Sequence, residues 1–167
     1  MKQLLLLSLL AFSLTAGAQT SEKTARSISF EFLGVHQGYG INYDSRFKGA
    51  EGAGYRVGLS YAYAFPGQDQ DKHGVAVPLE LNYLFGSKLL KFELGFGSTV
   101  GYYHTRDYAT SPDHPEEEEE VSNRLGFIPF LNAGIRLQPK RGLTLRLGVA
   151  PCLLILPYPY ISIGYAF

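Results

Sequence analysis

Large apolar residues alternate with small or polar residues along most of this sequence. In the stretch GYRVGLSYAYAF, residues 54–65, one face receives Tyr55, Val57, Leu59, Tyr61, Tyr63 and Phe65. Successive side chains of a β-strand point to opposite faces, so this period of two predicts a strand with one apolar face. The stretches VAVPLELNYLF and LLKFELGFGSTVGYY repeat the pattern, whereas the helical spacing of apolar residues does not recur after residue 18. The sequence therefore predicts an all-β protein.

Turn residues bound about eight such strands. The predicted strands are residues 27–36, 40–47, 54–65, 74–85, 89–105, 124–137, 143–155 and 160–167. The connections KGAEGAG, GSK and QPKRG are short, PGQDQDKH and RDYATSPDHPEEEEEVSN are longer and polar, and the connections at QGY and PYP are brief exceptions. Short turns at one rim and longer loops at the other are typical of antiparallel up-and-down transmembrane β-barrels.

The first 18 residues have the pattern of a secretory signal peptide. Lys2 precedes the apolar run LLLLSLLAFSL, and the small residues AGA come directly before Gln19. We expect residues 1–18 to be removed and residues 19–167 to form one β-barrel domain. No later apolar run reaches the roughly 18 residues that a membrane helix needs. If this chain spans a membrane, we expect it to do so with strands.

Charged residues within the predicted strands indicate which face lies outside. They all share the face that carries the small residues: Glu31, Asp44, Glu80, Glu93, Arg46, Arg56, Lys91, Arg136 and Arg146. A basic residue facing lipid at the membrane midplane costs about 2–4 kcal/mol. The other face collects roughly three dozen large apolar side chains, which would overfill the interior of an eight-stranded barrel. We therefore expect the apolar face to meet lipid, with a charge network plugging the lumen near the short turns and a shallow cup above it.

Aromatic residues cluster near both predicted rims. The cluster near the short turns contains Tyr43, Phe47, Tyr55, Tyr83, Phe85, Tyr165 and Phe167, and the other contains Tyr61, Tyr63, Phe65, Tyr102 and Tyr158. Tyr and Phe are favoured where a membrane meets water, so these clusters predict two aromatic girdles.

The sequence resembles the small outer-membrane β-barrel proteins of Gram-negative envelopes, the OmpA-like and OmpX-like class and the outer-membrane protein β-barrel domain family. The segments that carry the resemblance are INYDSRF, VPLELNYLFG, FELGFG, QPKRGLTLRLGVAP and ISIGYAF. We expect a monomer in the bacterial outer membrane, in contact with lipid and lipopolysaccharide. The resemblance implies that the barrel-assembly machinery recognises the strand that ends at Phe167. It transfers no catalytic residue, cofactor or metal site.

Two functions remain open at this point. The first is a structural, adhesive or surface-binding role without general porin activity, since water-filled porins need about 16 strands or more. The alternative is an outer-leaflet lipid-modifying enzyme, of the lipid A deacylase or acyltransferase type, in which rim-facing Ser and His residues act. Here His36 and His104 fall near long-loop ends and His73 and His114 fall in loops, but no motif joins them to a serine and an acid. We therefore predict no enzymatic activity and no cofactor.

The run DHPEEEEE, residues 113–120, is the strongest local concentration of charge. Its carboxylates could bind divalent cations, but a run of like charge is more often a solvated loop, which we expect here. The formal net charge of the whole chain is +0. Nucleic-acid binding needs clustered basic charge, so nucleic acid is not an expected partner.

Overall fold

A closed barrel of eight antiparallel strands dominates the computed structural model, which describes residues 24–34, 38–63, 70–86, 89–111, 114–152 and 155–167. The strands are β1 (Arg26–Leu33), β2 (Gly38–Arg46), β3 (Gly52–Tyr63), β4 (Gln70–Phe85), β5 (Leu90–Ser111), β6 (His114–Leu137), β7 (Gly142–Cys152) and β8 (Ile155–Ala166). Each strand pairs with the next in the chain, and β8 closes the barrel on β1. The predicted fold class is confirmed, while the predicted signal peptide, residues 1–18, lies outside the described residues. In the part of the chain described here, no helix is long and apolar enough to cross a membrane.

The strands are strongly staggered around the barrel. A row of paired residues leaves β6 at Leu125, crosses the other seven strands and returns to β6 at Ile135, ten residues further along. The residues between these two are Tyr102, Val75, Tyr61, Tyr39, Phe32, Ile161 and Leu147. A stagger of this size tilts eight strands by about 40° from the barrel axis, as is usual for closed barrels. Every side chain of this row is exposed, so the row winds around the outer surface.

The two faces predicted from the alternation are confirmed. Large apolar side chains cover the outside, where Leu59 is 59% exposed and Phe96 is 60% exposed. The nine charged residues predicted to face inward are each 5% exposed or less. The protein is therefore apolar on its outer surface and charged inside, which is the reverse of a water-soluble domain.

Three short connections lie at one rim, together with the beginning of β1 and the end of β8. Residues 47–51 join β2 to β3, and residues 138–141 join β6 to β7. Gly86 and Gly142 have φ angles of +106° and +118° at this rim, a conformation that glycine adopts without strain. The short turns predicted from the sequence thus lie together, and the longer strand extensions lie at the opposite rim.

The prediction of a long acidic loop between β5 and β6 is wrong for most of that segment. β5 continues to Ser111, β6 begins at His114, and Asp107 pairs with Glu120. The glutamates at 116–120 therefore lie in a strand. The backbone groups of this segment form ladder hydrogen bonds with the neighbouring strand. Such bonds need no alternation of apolar side chains where neither face of a strand meets a core or lipid. The alternation therefore could not reveal this extension.

The last connection was also predicted in the wrong place. Prolines in PYP indicated a turn, but Pro157 and Pro159 lie within β8, and Pro157 pairs with Pro151 beside a register shift in β7. Proline is compatible with a strand where the ladder is already interrupted. The shift in register also changes one girdle residue. Tyr158 pairs with buried Ala150 and shares the inward face of β8, so its predicted place in the outer girdle is wrong.

Candidate functional site

Every strand of the barrel contributes to one buried polar cluster inside it, which we call the luminal network. Its members are Glu31 from β1, Asp44 and Arg46 from β2, Arg56 from β3, Glu80 and Asn82 from β4, Glu93 from β5, Asn132 and Arg136 from β6, Arg146 from β7 and Tyr160 from β8. The alternation places one side chain in two inside the barrel, and the stagger brings these positions to a common height. All of them are 5% exposed or less.

Glu93 lies at the centre of the luminal network, between two arginines. Arg136 donates from Nε and Nη2 to the two carboxylate oxygens, at 3.0 and 2.7 Å. Arg146 does the same from the other side, at 3.0 and 2.8 Å. Asn82 adds a further donor at 3.1 Å. Planar two-point pairs of this kind are among the strongest hydrogen-bonded contacts of proteins, so the position of Glu93 is tightly fixed.

Asp44 forms the second centre, closer to the short turns. Arg136 reaches it with Nη1 and Nη2, both at 2.9 Å, so one guanidinium joins Asp44 to Glu93. Arg46 donates to Asp44 at 2.8 Å and also contacts Asn82. The Asn82 amide in turn donates to Asp44 at 3.1 Å. The two acids therefore share two donors, Arg136 and Asn82.

Arg56 connects the remaining two acids of the luminal network. It donates to Glu31 at 2.7 Å and to Glu80 through its other terminal nitrogen. Glu80 also accepts a hydrogen bond from Asn132 at 2.8 Å, and Asn132 accepts one from the Tyr160 hydroxyl at 2.8 Å. This links β1, β3, β4, β6 and β8 across the lumen.

The charges of the luminal network balance. Within the described residues it contains four carboxylates, Glu31, Asp44, Glu80 and Glu93, and four guanidinium groups, Arg46, Arg56, Arg136 and Arg146. A buried charge is tolerated when it is paired and its hydrogen bonds are made, and each of these has an opposite partner. Lys91, the ninth charged residue, lies at the rim and donates to half-exposed Glu51 at 3.3 Å.

Aromatic rings occupy the lumen from Tyr160 of the luminal network outward, where the sequence predicted a shallow cup. Tyr160, Phe130 and Tyr103 are 2%, 3% and 6% exposed. Each ring lies against a glycine of the inner wall. A Cβ on Gly126 would lie 2.7 Å from the Tyr103 ring, and one on Gly97 would lie 2.8 Å from Phe130. Arg146 stacks over the Tyr160 ring at 5.3 Å from its centre. The glycines therefore make room for the rings inside the barrel.

The histidines considered as catalytic candidates do not assemble a triad. His73 lies in β4, not in a loop, and pairs directly with His104 on the outward face. His104 Nδ1 lies 2.8 Å from the Asn123 amide oxygen, which is not a carboxylate. His36 and the side chain of His114 lie outside the described residues. Across the described ranges, no three His, Cys, Asp or Glu side chains converge as a metal-binding group.

No family model and no curated protein matches this sequence. Solved structures do resemble it. The N-terminal β-barrel domain of Pseudomonas aeruginosa OprF superposes with a TM-score of 0.55 at 12% identity, covering 86% of this chain and 96% of that one. A major outer membrane protein from Thermus thermophilus gives 0.52 at 14% identity, with 87% and 99% covered. With its eight-stranded closure, outward apolar surface and charged lumen, this chain has the fold of the small outer-membrane β-barrels.

Proposed function

We propose that this chain is an integral protein of the bacterial outer membrane with a sealed lumen and a structural or surface-binding role. The observation that supports this most directly is the luminal network, which joins all eight strands across the interior with balanced charge. A pore would need a water-filled path lined by hydrated groups. Here the arginine and carboxylate groups pair with one another, and aromatic rings lie in the space beyond them. The barrel therefore acts as a membrane anchor and not as a conduit.

The surface-binding role is supported by the unequal strand lengths at the rim opposite the short turns. β5 and β6 continue to Ser111 and His114, whereas β7 ends at Cys152 and pairs with β6 only up to Phe130. The hairpin of β5 and β6 thus projects beyond the rest of the wall. Short turns of such barrels face the periplasm, so the projecting hairpin faces the cell exterior. A rigid hairpin on a membrane anchor is suited to contact molecules outside the cell.

A shortened hairpin tests this role without disturbing the barrel. Residues 107–120 can be replaced by an Asn-Gly turn, because Arg106 and Val121 are already paired partners. We expect this variant to retain heat-modifiable gel migration and outer-membrane fractionation. Molecules that copurify with the complete protein in native-lipid extraction, and not with the shortened one, then identify what the hairpin binds. If the complete and the shortened protein copurify with identical sets of molecules, the surface-binding role is contradicted and the structural role is supported.

The enzymatic alternative requires a nucleophile activated by a histidine and an acid. The amide partner of His104 does not suit that role, because an amide cannot stabilise a developing imidazolium as a carboxylate does. We therefore expect lipid A from cells that overproduce this protein to be unchanged by mass spectrometry. Gain or loss of an acyl chain that disappears in His104→Ala would establish the enzymatic role instead.

A further inference from the structure

His73 and His104 form a pair on the outer face of the barrel, at the base of the projecting hairpin. They are direct cross-strand partners in β4 and β5, and their ring centres are 4.9 Å apart with the planes inclined by 44°. Tyr61 stacks against His73 on one side, at 6.5 Å between ring centres. Asn123 contacts His104 on the other side. Two imidazoles are thus held side by side by neighbours from β3 and β6.

The distance between the two ring centres is compatible with both imidazoles binding one metal ion. A transition metal binds an imidazole nitrogen at about 2.0–2.1 Å, which places each ring centre about 3.2 Å from the metal. Two rings bound to one ion at angles between about 90° and 110° therefore have centres about 4.5–5.2 Å apart. The observed 4.9 Å falls within this range.

Asn123 fixes which nitrogen of His104 is available. The Asn123 amide oxygen can only accept a hydrogen bond, so Nδ1 of His104 donates the bond of 2.8 Å. In the neutral ring the lone pair then lies on Nε2. Metal-binding histidines usually hold their second N–H to an oxygen acceptor in this way, which fixes the ring and makes the binding nitrogen more basic.

We propose that His73 and His104 form a two-histidine binding site for a divalent transition-metal ion, with Asn123 as a positioning residue. Imidazole ligands favour Cu²⁺, Ni²⁺ and Zn²⁺ over Mg²⁺ and Ca²⁺. Water completes the coordination, because this outward-facing pair is only partly buried and lies where the strands leave the apolar belt. A bound ion would join β4 to β5 below the hairpin and stiffen its base.

Calorimetric titration of the folded protein, purified in detergent without a histidine tag, tests the site with CuCl₂, NiCl₂ and ZnCl₂. We expect one ion per chain for the complete protein and loss of this binding in both His73→Ala and His104→Ala. Asn123→Ala should weaken it about 10- to 100-fold, as expected for removal of a group that orients a metal ligand. Heat-modifiable gel migration of each variant establishes that the barrel is folded.

Electron paramagnetic resonance of the Cu²⁺ complex gives a second readout. Coupling to two imidazole nitrogens in the complete protein, and to one at most in His104→Gln, supports the proposal. His114→Ala is the matched control and should bind as the complete protein does. Binding that survives the combined change of His73 and His104 to alanine, or that is lost in His114→Ala, would overturn it. So would equally weak binding by all the variants.

Discussion

Arg136 and Glu93 lie on the neighbouring strands β6 and β5 and form a two-point pair inside the barrel, with the arginine Nε and Nη2 lying 3.0 and 2.7 Å from the carboxylate oxygens. Arg136 also donates from Nη1 and Nη2 to the two carboxylate oxygens of Asp44, at 2.9 Å each. The Arg136 side chain of β6 thus connects the neighbouring strand β5 to β2, which lies on the opposite side of the barrel. The luminal network therefore connects strands on opposite sides of the barrel.

Neutralising Glu93 should be strongly destabilising. Glu93→Gln leaves Arg136 and Arg146 buried without their shared counter-charge, which we expect to lower the free energy of unfolding by about 3–5 kcal/mol. The measurement is urea unfolding in lipid vesicles followed by circular dichroism. Glu51→Gln is the control: Glu51 is 42% exposed in its side chain, and Lys91 keeps a second contact with the Gly86 carbonyl at 3.4 Å, so we expect a clearly smaller cost than for Glu93→Gln. Equal costs for the two changes would contradict the central role of Glu93.

Gly126 and the Tyr103 ring should behave as one packing unit. A Cβ on Gly126 would lie 2.7 and 2.8 Å from two atoms of that ring, so Gly126→Ala should cost about 1–3 kcal/mol through overpacking. The same change in a Tyr103→Ala background should cost almost nothing. A double-mutant cycle measured by urea unfolding gives the coupling between them. Additive effects would mean that the ring does not lie on this glycine in the membrane.

Charge placed on the outer surface should be penalised according to depth. Phe96 is 60% exposed and lies midway along the apolar part of β5, so Phe96→Arg should cost about 2–4 kcal/mol. Leu90 begins the same strand at the rim, and Leu90→Arg should cost about 1 kcal/mol or less. Unfolding in vesicles of defined lipid composition measures both. A penalty independent of position would argue against a membrane-spanning belt.

The pairing of β1 with β8, which closes the barrel, should be sensitive to substitution of Phe167. Its amide donates to the Arg26 carbonyl at 3.0 Å, next to the pair of Ser27 with Ala166, and its side chain lies on the outer surface. Phe167→Asp should reduce insertion, because it places a charge at the lipid-facing rim of the closing seam. Heat-modifiable migration and outer-membrane fractionation provide the readout. A variant lacking the glutamates at 116–120 is the control and should fold normally. Equal migration and fractionation of the two variants would mean that Phe167 is an ordinary surface residue.

The charged residues of the luminal network could be identified from the sequence because the alternation along each strand distinguishes its two faces. Glu31 and Arg146 fall on the small-residue side of their strands, and that is sufficient to place them inside. Their partners could not be predicted. Arg146 and Glu31, 115 residues apart, both pair with Ser162 of β8. Their contact therefore depends on the registers of β7 with β8 and of β8 with β1, which no single strand encodes.

Tyr103, Phe130 and Tyr160 were not predicted as luminal residues, since large rings on a face of small residues run against the pattern. The space for them comes from Gly126, Gly97 and other glycines that the register brings opposite. The hairpin of β5 and β6 was missed for a different reason. Ladder hydrogen bonds join backbone groups and do not require apolar alternation, and residues 106–121 have none that could reveal the strands.

Conductance across planar lipid bilayers tests the central claim, that the barrel interior is closed, most directly. The purified protein is reconstituted at known density, beside a porin as positive control, and currents are recorded over a range of voltages. We predict no steady conductance above that of the protein-free bilayer, because the luminal network and the buried rings of Tyr103 and Phe130 occupy the barrel interior. Stable, voltage-independent channels that scale with the amount of folded protein would contradict the account.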